Sequence, residues 1–152
     1  MQLAVYVGLV HRGEQTLADA FRQVEAGHAD EVDVAHTCRT LATWCDDHVS
    51  RLDPVARRYG EMAVAEPERL HADALTETRP GPVGLLRDLQ DLYLLASLVD
   101  SSWLLITQAA QGARDRELLA VAQHCQRETE RQITWLTTRL KVAAPQALLV
   151  AE

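Results

Sequence analysis

The sequence predicts an all-α protein: four long amphipathic helices packed as a bundle, with a long crossover between the second and the third. Three observations predict it. Apolar residues recur at helical spacing through most of the 152-residue chain, and no convincing alternating strand pattern appears. Gly 7, Pro 5 and 5% aromatic residues are too few for a turn-rich sandwich or barrel. The helix breakers gather at a few places and divide the chain into four stretches of similar length.

The first stripe is Leu3, Tyr6, Val10, Leu17, Phe21 and Val24, which places a helix over about residues 3–28. Asp30 stands where an N-cap belongs, because its carboxylate can accept an orphan backbone N–H of the next helix. The second stripe, Val34, Cys38, Leu41, Cys45, His48 and Leu52, predicts a helix over about 31–53. Pro54 lacks an amide hydrogen and disfavours helical geometry at Asp53, so that helix is expected to stop or kink there. A helical turn from Val55 to Met62 and another over Glu68 to Leu75 are the only regular structure expected in a crossover of about 54–82. The third stripe runs Leu85, Leu89, Leu92, Ala96, Val99, Trp103, Ile106 and Ala110, for a helix over about 83–111 that Gly112 stops. The fourth, over about 114–141, carries Leu118, Ala122, Cys125, Thr129, Ile133, Leu136 and Leu140 and ends before Pro145.

The connections predict the topology. The first and third are a few residues long and force antiparallel hairpins, whereas the second is long enough to travel the bundle's whole length. A short–long–short pattern joining helices of these lengths is similar to the ferritin-like superfamily, a fold-level resemblance that covers most of the chain. A second helix folded back over 54–75 would leave a simple up-down bundle open.

Composition bounds the function. With Lys+Arg 15 against Asp+Glu 22 the formal charge is -7, which argues against non-specific nucleic-acid binding. The apolar segment Leu3 to Val10 has no basic region before it and no cleavage site after it, and Asp100 with two serines interrupts Leu92 to Ile106, so neither a signal peptide nor a membrane span is expected. Cys38, Cys45 and Cys125 are an odd number, read as reduced, buried thiols of a cytoplasmic protein. Cys38 and Cys45 lie two turns apart on one helix, too far for a disulfide. Phosphate-loop and serine-hydrolase motifs are absent from the sequence.

The ferritin-like resemblance implies a question about metal. Members with a di-iron or di-manganese site place a Glu on each of two helices and a Glu-x-x-His on each of the other two. Two matches exist, Glu25–His28 and Glu68–His71, but they fall at the end of helix one and in the crossover. The family's metal residues therefore do not carry over. What remains is a group of polar residues on or beside the apolar stripes: Glu14, His48, Asp100, His124 and Glu128. Buried carboxylates are costly unless paired, hydrogen-bonded or metal-bound, and this donor set suits iron, manganese or zinc. An ordinary structural role is the competing reading: Glu14 paired with an arginine, Asp100 at the edge of a wide stripe, His124 and Glu128 an i,i+4 surface pair.

The surface offers a different route. Helix three is apolar nearly all round, and Leu94, Leu98, Leu104 and Leu105 exceed what an internal core needs, unless the crossover covers them. The tail Ala147-Leu148-Leu149-Val150 is poorly explained as a free terminus. The leading expectation is a module that forms homo-oligomers or docks a protein partner through helix three and the tail. The alternative is a metal-binding oxidase or storage protein with a non-standard carboxylate and histidine site.

Overall fold

Inward-facing residues in this chain repeat three and four apart, so each helix turns one seam toward its neighbours. The computed structural model describes residues 2–60, 75 and 77–150. Among the described residues four helices form: α1 (Gln2–Gly27), α2 (Val32–Arg58), α3 (Gly81–Ala113) and α4 (Arg116–Pro145), followed by one π-helical turn, Gln146–Val150. On α2 the buried positions run Val34, Cys38, Leu41, Cys45, His48, Leu52 and Val55; on α3 they run Leu85, Leu89, Leu92, Ala96, Val99, Trp103, Ile106 and Ala110. The all-α bundle expected from the stripes is what the chain adopts.

Contacts at the helix ends give the direction of each helix. His28, just after α1, meets Asp88 near the start of α3. Arg58, at the end of α2, meets Asp115 at the start of α4, and Arg139 late in α4 meets Asp33 at the start of α2. Thus α1 and α4 run one way, and α2 and α3 run the other. The packed pairs are α1 with α2, α1 with α3, α2 with α4 and α3 with α4. Every packed pair is antiparallel, while the parallel pairs lie on the diagonals. Since α2 ends and α3 begins at opposite ends of the bundle, the connection between them must span its length, as its length in the sequence implied.

Several boundaries differ from the pattern. Asp30 is not the cap of α2; Glu31 holds that position and its side chain makes no capping bond. The hairpin closes through the backbone instead, with His28 N–H donating to the Val24 carbonyl and Glu31 N–H to that of His28. Helix α2 also passes through Pro54 to Arg58 rather than stopping at Asp53. Proline removes one backbone hydrogen bond, but Val55 is buried beyond it, and Arg58 and Tyr59 both hold Asp115. Those contacts outweigh the break. Helix α4 reaches Pro145 instead of ending near 141, because Ala143 and then Ala147 are buried against the bundle. Between α3 and α4, Arg114 takes the left-handed conformation (φ 55) and Asp115 caps α4 by accepting from Leu118 N–H. The turn expected over Glu68 to Leu75 and the Glu68–His71 motif lie outside the described residues, Leu75 apart.

By length and composition α3 would be able to cross a membrane. In the bundle its inward side is core, and it carries the fully buried Asp88, whose carboxylate accepts from Arg79 N–H and guanidinium and faces His28 Nε2 at 2.7 Å.

Candidate functional site: a buried carboxylate–histidine cluster and an apolar outer face

Midway along the bundle, core positions that would ordinarily be apolar carry Glu14 on α1 and His48 on α2, both fully buried. Helical spacing puts them there: Glu14 falls between Val10 and Leu17 on its seam, and His48 between Cys45 and Leu52 on its own. The two meet across the α1–α2 hairpin, His48 Nδ1 lying 2.8 Å from Glu14 Oε1. The other ring nitrogen, Nε2, lies 2.9 Å from Glu128 Oε1 on α4. Trp103 of α3 completes the level, its indole N–H donating to Glu14 Oε1 at 2.8 Å. One residue from each helix therefore takes part.

Carboxylate oxygens facing both ring nitrogens favour the imidazolium form of His48, which donates from each. Burial works against a charge on the ring, but the hydrogen bonds and charges of Glu14 and Glu128 outweigh it and raise the His48 pKa. His124, one turn before Glu128, brings its Nε2 within 3.1 Å of the same Glu128 Oε1 and 3.7 Å of Asp47 Oδ2. That nitrogen is close to Glu128 without the alignment of a hydrogen bond, and it is buried with no hydrogen-bond partner; Glu14 Oε2 is likewise buried and unpartnered. Asp47 is half exposed and held by Arg51, which lowers its pKa.

Four of the five residues singled out in the sequence thus converge: Glu14, His48, His124 and Glu128. Asp100 stands apart. It follows Val99, so it is turned by about 100° from the inward line of α3. Its Oδ1 is buried without a hydrogen-bond partner, and partial burial and the charge of Glu130 raise its pKa. The motif residues Glu25 and His28 separate too, Glu25 pairing with Arg39 and His28 with Asp88.

Two participants were not anticipated. Trp103 reads as core from its stripe, and the one available signal was its indole N–H, which needs an acceptor when buried. Asp47 gave none, whereas Gln132 shares by helical spacing the face of Cys125 and Glu128. Gln132 is fully buried on α4 and donates from Nε2 to the Leu41 carbonyl and to Cys45 Sγ. All three cysteines are buried and free. Burial, reinforced by Glu25 and Asp33, pushes the Cys38 thiol up to about 12. Burial and Glu14 push Cys45 and Cys125 up as well. These thiols remain protonated near neutrality, which disfavours cysteine nucleophilic chemistry.

The second feature lies on the outside of α3. Tyr93, Leu94, Leu104 and Leu105 are exposed, Leu94 by 65%, and from Leu92 to Ala113 the only charged residue is Asp100. The terminal turn packs on α4 and α3 by burying Ala147, while Leu148, Leu149 and Val150 face out. In antiparallel register, fixed where Thr107 bonds Gln126, α4 ends beside the first turns of α3. The tail and the helix face therefore adjoin at one end of the bundle, where Val83 is also exposed. Comparison with protein-family models, curated proteins and solved structures finds no match to this chain.

Proposed function

We propose that the chain is a ferritin-like helical bundle that works as an association module, pairing with a second copy of itself through the outer face of α3 and the adjoining tail. Up-down-down-up order with one full-length crossover supports the ferritin-like assignment, since a simple up-down bundle would place α2 beside α3. The observation that carries the association reading is the exposed stripe of Leu94, Leu104 and Leu105 on a helix whose second half bears only one charge. Apolar area of that kind costs free energy in water, roughly 25 cal/mol per Å² that a partner would remove. A second copy presents the same stripe, whose outward residues from Leu94 to Leu105 are uncharged, so that part of the contact meets without charge repulsion even though each chain carries -7 overall.

Sedimentation velocity of the full chain between about 1 and 100 μM tests it. The expected result is a concentration-dependent dimer that Leu94→Glu and Leu105→Glu together convert to monomer, with unchanged helical circular dichroism. A wild-type chain that stays monomeric over the whole range overturns it.

A further inference from the structure

We propose that the middle of the bundle holds one divalent transition ion, zinc or ferrous iron, liganded by His48, His124 and Glu128. The ligand-capable atoms of these three residues lie within 4.8 Å of one another. Two of the separations already approach coordination distances. Ligands about 2.0–2.1 Å from a tetrahedral ion sit about 3.3 Å from each other, and here His48 Nε2 and His124 Nε2 are 2.9 and 3.1 Å from Glu128 Oε1.

The surroundings supply what a metal-bound imidazole requires. A ligating histidine presents one nitrogen to the ion, releasing any proton on it to solvent, and gives its other N–H to a carboxylate, which fixes the ring. Glu14 is placed for that role at His48 Nδ1, and Trp103 N–H holds Glu14 in turn. One unpartnered atom belongs to the ligand set itself: His124 Nε2 is buried beside Glu128 with no hydrogen bond. A protein interior seldom leaves such an atom unmet. Two imidazoles and one carboxylate are a donor set for zinc or ferrous iron. Among the described residues a single group of three ligands gathers here, which suits one ion, and α3 contributes the indole of Trp103 at this level instead of a further carboxylate. The half-exposed Asp47 lies 3.7 Å from His124 Nε2, on the solvent side of the cluster.

The test uses the full chain stripped with chelator and titrated with Zn²⁺ by calorimetry and with Co²⁺ by visible absorption. One ion per chain is expected, with the absorption bands of four- or five-coordinate cobalt. His124→Ala, at a half-buried position that tolerates truncation, is expected to weaken binding at least tenfold. Glu14→Gln keeps all three ligands and is expected to weaken it by about 10- to 100-fold. His36→Ala, on an exposed position, is expected to leave it unchanged. Absence of stoichiometric binding overturns the proposal, as does equal binding by His124→Ala. Should a variant fail to fold, X-ray absorption of the zinc-loaded wild-type chain decides: fewer than two imidazoles at the ion overturns the assignment. The readout is metal per chain, so it holds whether the chain is monomeric or dimeric.

Discussion

Trp103 and Glu14 are 89 residues apart in sequence, yet the indole N–H of one donates to a carboxylate oxygen of the other at 2.8 Å in the core of the bundle. Because His48 faces the same oxygen, replacing Trp103 removes one of two hydrogen-bonded neighbours that hold a buried carboxylate. Trp103→Phe keeps most of the packing and loses the N–H. The expected cost is about 1–3 kcal/mol in urea unfolding, from the lost hydrogen bond and the smaller ring. An unchanged midpoint would show that Glu14 does not depend on that bond.

Glu14→Ala is a harsher change. It leaves His48 Nδ1 and the Trp103 N–H facing a void with no acceptor, and the expected loss is about 3–5 kcal/mol. Glu14→Gln retains an acceptor oxygen and is expected to lose less than half as much. Equal losses for the two variants would rule out hydrogen bonding as the reason for a glutamate there.

Two glycines of α3 give opposite signs. A Cβ at Gly84 would run into the backbone carbonyl of Arg79, so Gly84→Ala is expected to destabilise by about 1–3 kcal/mol or more. At Gly112 nothing lies within 4 Å, and alanine is the better helix former. Gly112→Ala is expected to stabilise by about 0.5–1 kcal/mol. Thermal melts of the two variants, compared side by side, check both signs.

Acid sensitivity is expected at the junction of α2 and α4. Burial pushes the Asp115 pKa up, but hydrogen bonds from Tyr59, Leu118 N–H and Arg58 outweigh it and the net effect lowers the pKa. A carboxyl with a depressed folded-state pKa contributes stability that is complete above its unfolded value, about 3.9, and fades as the pH falls through the folded one. Asp115→Asn should therefore lower stability at pH 7 and flatten the stability curve below about pH 4. Urea midpoints measured from pH 7 down to pH 3 read this directly.

The fold was largely legible because its information is local. Positions such as Val34, Leu41 and Leu52 announce a helix face without reference to any other helix, and the long stretch between α2 and α3 fixes which ends can be joined. The misread boundaries were tertiary. Pro54 stays helical because Val55, Arg58 and Tyr59 find partners on the far side of it, and no pattern within residues 50–60 contains Asp115. The candidate site was legible to the extent that polar residues interrupt apolar seams, which picked out Glu14 and His48. Asp100 looked equivalent along the chain, but a single residue's rotation sends it toward Glu130 and leaves Trp103 facing Glu14.

The diagonal placement of α2 and α3 has a kinetic consequence. The α1–α2 and α3–α4 hairpins each need only a short turn to close, so their contacts form at low entropic cost. Contacts of α1 with α3 and of α2 with α4 require the whole intervening connection to be laid across the bundle, and sequence-distant contacts of that kind form late. Folding by this route is the docking of two preformed hairpins. His48 and Glu14 belong to the first hairpin, and Glu128 and Trp103 to the second. The polar cluster then acts as a register mark: a slip of one helical turn between the hairpins would break both His48–Glu128 and Trp103–Glu14, so only the correctly aligned assembly makes these two contacts.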